Sequence, residues 1–269
     1  MLSLHAGRIE THGPRSGRDR AILLGSLVAV VAAGWTALVL WGASPWSRYL
    51  GHQGLEGGAG AADTLLFVAG WLLMTVAMML PTTWPLLTTF QALVRRRRRP
   101  GLLVLLLAAG YIVTWSVVGV LLHSGDRLVH AAVESIPWLG ERAGLIAAGT
   151  VLVAGIYQFM PLKYRCLDEC RSPLGFVMNH WRGTNERREA FMLGVRHGLF
   201  CVGCCWSLML VMFAVGMGSL VWMFALGTVM AIEKNATWGR QLSKPLGIVL
   251  ISAGGALCLA AFIPGGGAA

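Results

Sequence analysis

The sequence predicts an all-α polytopic membrane protein, a bundle of about seven transmembrane helices with its N-terminus in the cytoplasm and its C-terminus outside. Three observations predict it. Hydrophobic residues make up 56% of the 269 residues and charged residues only 13%, where soluble domains carry about 25% charge. The apolar residues gather into uncharged runs long enough to cross a hydrocarbon core of about 30 Å at about 1.5 Å per helical residue. Lys and Arg gather in alternate connections between those runs, the bias that sets membrane orientation.

The runs divide the chain into a cytoplasmic tail over 1–20, a single bundle domain over 21–263 and a short tail over 264–269. The first span is 21–43; it follows a polar stretch and is too long for the apolar region of a cleaved signal peptide, so it is expected to stay as a helix. The second, 64–94, contains Pro81 and Pro85 and is expected to kink without breaking, because a neighbouring helix can satisfy the freed carbonyls. The third and fourth are 101–123 and 144–162. Residues 198–232 are free of charge, too long a run for one helix, and read as a hairpin turning at Gly216-Met217-Gly218-Ser219, with spans 198–215 and 219–234. The seventh is 246–263. The Gly-rich stretch 51–62 and the segment 124–143 read as outer loops, with Trp46 and Trp138 as interface anchors. No internal repeat suggests an inverted-repeat transporter.

A net charge of +10 could signal a nucleic-acid partner, but the positive residues flank apolar runs and line no aromatic-bearing groove, so the expected partner is the lipid bilayer and not nucleic acid. Nineteen of the 22 Lys and Arg residues fall on one side and only Arg48, Arg127 and Arg142 on the other. An odd number of spans preserves this alternation. Arg95 to Arg99 read as topogenic charge that also meets anionic headgroups.

Five of the six cysteines lie between positions 166 and 205. Cys166 and Cys170 are spaced i, i+4, which on a helix places both sulfurs on one face, about 6 Å apart. Cys201, Cys204 and Cys205 follow near the cytoplasmic start of span five, with Gly198 and Gly203 leaving room for another backbone. A thiolate near hydrocarbon is costly unless a cation neutralises it. Cu(I) suits thiolate and thioether donors; zinc is also compatible with four cysteines. The expected metal ligands are Cys166, Cys170, Cys201, Cys204 and Cys205, joined by Met209 and Met212 among the flanking methionines Met160, Met192, Met209, Met212 and Met217. His197, one turn before Cys201, reads equally as a ligand and as a solvated residue at a helix start. Asp168 and Glu169 read as water-facing charges, Glu233-Lys234 as an interfacial charge pair with a functional role open to Glu233, and Cys258 as packing.

These residues resemble a bacterial family described as predicted metal-binding integral membrane proteins, sometimes labelled copper-chaperone-like. The resemblance rests on Trp71-Leu-Leu-Met74-Thr-Val-Ala-Met78-Met79-Leu-Pro81, on Tyr157-Gln158-Phe-Met-Pro161-Leu-Lys163-Tyr-Arg-Cys166-Leu-Asp-Glu-Cys170-Arg-Ser-Pro173, on Gly198-Leu-Phe-Cys201-Val-Gly203-Cys204-Cys205-Trp206-Ser-Leu-Met209 and on Glu233-Lys234. His197 stands outside that pattern. The resemblance implies a metal-handling protein of the bacterial inner membrane, copper being its usual cargo, and marks Lys163 and Glu233 as further site residues. The function expected is non-enzymatic: Cu(I) held between spans four and five and passed to a membrane or periplasmic acceptor. Two other readings stay open, a membrane thiol-disulfide oxidoreductase using Cys201-x-x-Cys204 and an accessory or assembly subunit of a larger membrane complex.

Overall fold

A computed structural model describes residues 14–44, 61–140, 144–215 and 219–262. Among the described residues every regular element is helical. In chain order these are α1 (Pro14–Gly42), α2 (Ala61–Met78), a 3-10 turn (Pro81–Thr83), α3 (Trp84–Val94), α4 (Pro100–Ser135), α5 (Pro137–Gly140), α6 (Gly144–Tyr157), α7 (Pro161–Arg171), α8 (Pro173–His180), α9 (Glu186–Val215), α10 (Leu220–Asn235) and α11 (Gly239–Phe262). Four helices are long and apolar enough to cross a membrane, and six spans result if each of two bent helix pairs counts as one.

Several boundaries differ from those expected. The segment 64–94 breaks as well as bends: α2 stops at Met78, and the axis turns by 46° into Pro81–Val94. Two carbonyls at the break are satisfied by threonines of the next turn. The Thr82 hydroxyl donates to Met79 O at 2.7 Å and the Thr83 hydroxyl to Leu80 O at 2.8 Å. The fourth run likewise ends at Tyr157 and turns by 66° before Pro161 opens α7, a position where the missing proline N–H costs nothing. The segment 124–143, expected as an outer loop, is helical through Ser135, and α5 carries an exposed Trp138. Helix α1 starts inside the expected tail and α9 starts at Glu186, well before its apolar run. The break between α9 and α10 falls where the hairpin was expected; Gly216–Gly218, Trp46 and residues 51–60 lie outside the described residues.

Helix α9 lies at the centre, against α4, α6, α7 and α10. Glycines let its backbone touch that of α4. A Cβ on Gly194 would stand 1.9 Å from Leu107 O, one on Gly110 2.1 Å from Phe191 O, and one on Gly198 2.8 Å from Thr114 Cβ. Such contacts need residues without side chains and bring helix backbones to van der Waals distance, the close packing that small residues allow. Helices α6 and α11 interlock in the same way through Gly155, Gly247 and Gly254. Around α9 one buried cluster gathers Trp71, Met74, Met78, Met79, Tyr111, Trp115, Cys166, Cys201, Cys204 and Cys205, with Cys170 packed against it.

Candidate metal site

On α9 the residues Cys201, Cys205, Leu208 and Met212 recur at steps of four, three and four, one stripe of a 3.6-residue helix. Cys204 borders this stripe and faces α7. Helix α7 docks there because Gly203 leaves the space that the Cys166 sulfur fills: a Cβ at Gly203 would be 2.5 Å from Cys166 Sγ. The Tyr157 hydroxyl donates to Gly203 O at 2.5 Å and pins the end of α6 to the same turn. One turn beyond Cys166, Cys170 Sγ approaches Cys204 Sγ to 4.0 Å. All six cysteines are free thiols. Cys201, Cys204 and Cys205 are buried, while Cys170 is partly open to solvent.

The remaining α9 sulfurs face α2 and α10. Cys205 Sγ lies 3.9 Å from Met79 Sδ and donates to Cys201 O at 2.9 Å; Cys204 Sγ donates to the same carbonyl at 3.1 Å. Cys201 Sγ meets the Tyr111 hydroxyl at 3.1 Å and accepts from Lys234 Nζ at 2.9 Å. Lys234 Nζ also reaches Thr82 Oγ1 at 3.3 Å and Met79 Sδ at 3.7 Å. The break after α2 is what turns Met79 and Thr82 toward this point. The thiols therefore meet their partners in pairs: among the described residues no three His, Cys, Asp or Glu side chains converge where one metal ion could bind them all.

Residues 68–257 match the family model described as PpoB2, copper chaperone. The chain belongs to that family. No curated protein and no solved structure matches it. The matched stretch holds the five clustered cysteines, Met79, Lys163, His197, Glu233 and Lys234, so in this copper chaperone family the function is copper-related.

In this copper chaperone family member, Lys163 and Glu233, which the resemblance marks as further site residues, are not interfacial charges. Both are buried and form an ion pair, Lys163 Nζ to Glu233 Oε1 at 2.8 Å and Oε2 at 2.9 Å. Lys163 also donates to Gln158 Oε1, and Ser243 donates to Glu233 Oε1 at 2.6 Å. The Arg171 guanidinium donates to the carbonyls of Glu233 and Thr237, the latter at 3.0 Å. These bonds fasten α7, the carrier of Cys166 and Cys170, to α10 and α11. His197 is likewise no solvated residue: it lies within α9, 4% exposed, between the rings of Tyr111 and Phe176, and its Nδ1 has no hydrogen-bond partner among the described residues. Met209 and Met212 are buried in the thiol cluster, whereas Met160 and Met192 are exposed and Met217 lies outside the described residues. Asp168 is exposed and pairs with Arg240 at 3.3 Å, away from the sulfurs. Sequence reading offers Met79, with Met74 and Met78 of span two, as a source of thioether but not as the neighbour of Cys205, and it misses Lys234 as a neighbour of the thiols. The signal available was the Met-Met-Leu-Pro run, because a proline after two methionines marks where a helix must turn them aside.

Proposed function

We propose that this chain is a membrane-embedded carrier of monovalent copper, which takes the ion between the sulfurs of α7 and α9 and hands it to a membrane or periplasmic acceptor. The observation that carries the reading is the 4.0 Å gap between Cys170 Sγ and Cys204 Sγ. Two metal–sulfur bonds of about 2.3 Å across that gap subtend about 120°, the angle of a three-coordinate ion and wider than the tetrahedral angle zinc prefers. Thiolate donors select soft Cu(I), and the family is a copper family. Cys166 on α7, Cys201 and Cys205 on α9, and Met209 and Met212 belong to the same buried cluster and are the further ligands that this reading calls on as the ion moves. His197, with a buried and unpartnered Nδ1, is a reserve nitrogen donor one turn from Cys201. Transfer proceeds by replacing one sulfur at a time, so the ion is never bare and no redox change is needed.

Embedding in the bacterial inner membrane is supported by large apolar residues that face outward around the bundle, among them Leu40, Leu121, Val221 and Leu259, a surface that water would not tolerate over so wide an area. The charge alternation supports a cytoplasmic N-terminus, an external C-terminus and seven spans. Helix α10, at 16 residues and about 24 Å long, must then cross as well, to make the seven.

The test is an anaerobic titration of the purified full chain with Cu(I) against a chromogenic competitor, combined with alkylation of the thiols. Copper should bind and protect Cys166, Cys170, Cys201 and Cys204 from alkylation, and Cys170→Ser or Cys204→Ser should weaken binding by at least about tenfold. Absence of copper binding, with a reducible disulfide in the isolated protein, would favour the thiol oxidoreductase reading. Absence of both, with no phenotype on replacing all the cysteines by serine, would leave the assembly-subunit reading.

A further inference from the structure

A lysine buried among sulfurs is an expensive arrangement, because an ammonium taken out of water needs compensating partners. Lys234 is 6% exposed. Its Nζ is surrounded by Cys201 Sγ at 2.9 Å, Thr82 Oγ1 at 3.3 Å and Met79 Sδ at 3.7 Å. Its sequence neighbour Glu233 gives it no support, being turned to Lys163 and Ser243. The donors around this cation are thus a cysteine sulfur, a thioether and a hydroxyl, a poor set for a hydrated ammonium and a good one for a soft metal ion.

We infer that Lys234 is the resident cation of an inner copper position formed by Cys201 Sγ and Met79 Sδ, and that an arriving Cu(I) displaces its ammonium. The inference rests on the copper reading above and adds to it a second position, deeper than Cys170 and Cys204. In the metal-free protein the ammonium keeps the Cys201 sulfur compensated in a buried setting. When copper arrives from the Cys170/Cys204 pair, its bond to Cys170 breaks as its bond to Cys201 forms. Cys201 binds copper through its sulfur, its thiol proton passing to the Cys170 sulfur that copper has left, and the neutral Met79 thioether adds a second bond. The ammonium keeps its own protons, copper stays monovalent and no electron moves. The ammonium withdraws along its flexible four-carbon stem. Such an exchange makes the inner position accept an ion only when that ion outcompetes a tethered cation, which keeps affinity moderate and the cargo releasable.

Two measurements on the full chain test this. In the competitor titration, Lys234→Leu removes the tethered cation without adding a sulfur, and copper should bind at least about tenfold more tightly than to the natural chain, since like charges a few ångströms apart oppose each other strongly in a buried site. If the natural chain binds copper and Lys234→Leu binds it equally or less well, the inner position is refuted while the copper reading stands. If the natural chain binds no copper, both fall. The second measurement holds even where Lys234→Leu fails to fold. Copper-edge X-ray absorption of selenomethionine-labelled protein, loaded to saturation, should show a copper–selenium contribution that falls in Met79→Leu, whatever Met209 and Met212 add to it. No copper–selenium contribution, or one that Met79→Leu leaves undiminished, overturns the inference.

Discussion

Lys163 and Glu233 show how much one residue pair decides. Each is almost fully buried, and each leaves the other uncompensated if it is removed. Breaking a buried pair costs about 3–5 kcal/mol, whereas replacing both partners by apolar groups is often neutral. Lys163→Met is therefore expected to lower the thermal unfolding midpoint in detergent sharply, and Lys163→Met with Glu233→Leu to recover most of the loss; equal midpoints for all three proteins would show that the pair holds nothing. The cysteines were legible in the sequence because thiols are rare and their spacing is short. The ion pair was not, because Lys163 and Glu233 stand 70 positions apart and each sits at the edge of an apolar run, where a charge has an ordinary reading as an interface marker. The contacts of Met79 and Lys234 escaped for the same reason: their partners come from α9, and no local spacing predicts which face of α2 or α10 meets it.

Helix α7 is the element on which the site depends, since it brings Cys166 and Cys170 to α9. Its seat is the bare face of Gly203. Gly203→Ala deletes no sulfur, yet its Cβ would lie 2.5 Å from Cys166 Sγ, so α7 must shift. Copper affinity in the competitor titration is expected to fall by about tenfold, and an unchanged affinity would show that the α7 sulfurs are not ligands. The sequence located the apolar core of each long helix but not its ends. Uncharged length measures what lipid tolerates, whereas a helix continues for as long as its carbonyls find partners. That is why α4 runs on through Asp126 and Arg127 to Ser135 and α9 begins at Glu186. At that start the Glu189 carboxylate accepts from the backbone N–H groups of Arg182, Gly183, Thr184 and Asn185, which ties the turn before the helix to its first turn. Conversely, the bends at Leu80 and before Pro161 were signalled by prolines, and their full angles came from threonines and packing that the run lengths do not contain.

At the scale of the whole molecule, the family match, the all-helical architecture and the outward apolar surface agree on a copper-related protein built from several long apolar helices. The number of spans sets the side on which each terminus lies, because six place both on one side and seven place them apart. A reporter enzyme active only outside the cytoplasm, fused after residue 269, is expected to be active, and the same reporter at the N-terminus silent; activity at neither end would mean six spans with both termini inside. The claim on which the functional account turns is that α7 and α9 share one soft ion. The most direct measurement is copper-edge X-ray absorption of the full chain loaded anaerobically with one equivalent of Cu(I). Sulfur neighbours alone at about 2.3 Å, with one lost in both Cys170→Ser and Cys204→Ser, is the predicted result. Nitrogen or oxygen neighbours in place of sulfur, or a sulfur environment that neither substitution changes, would contradict it.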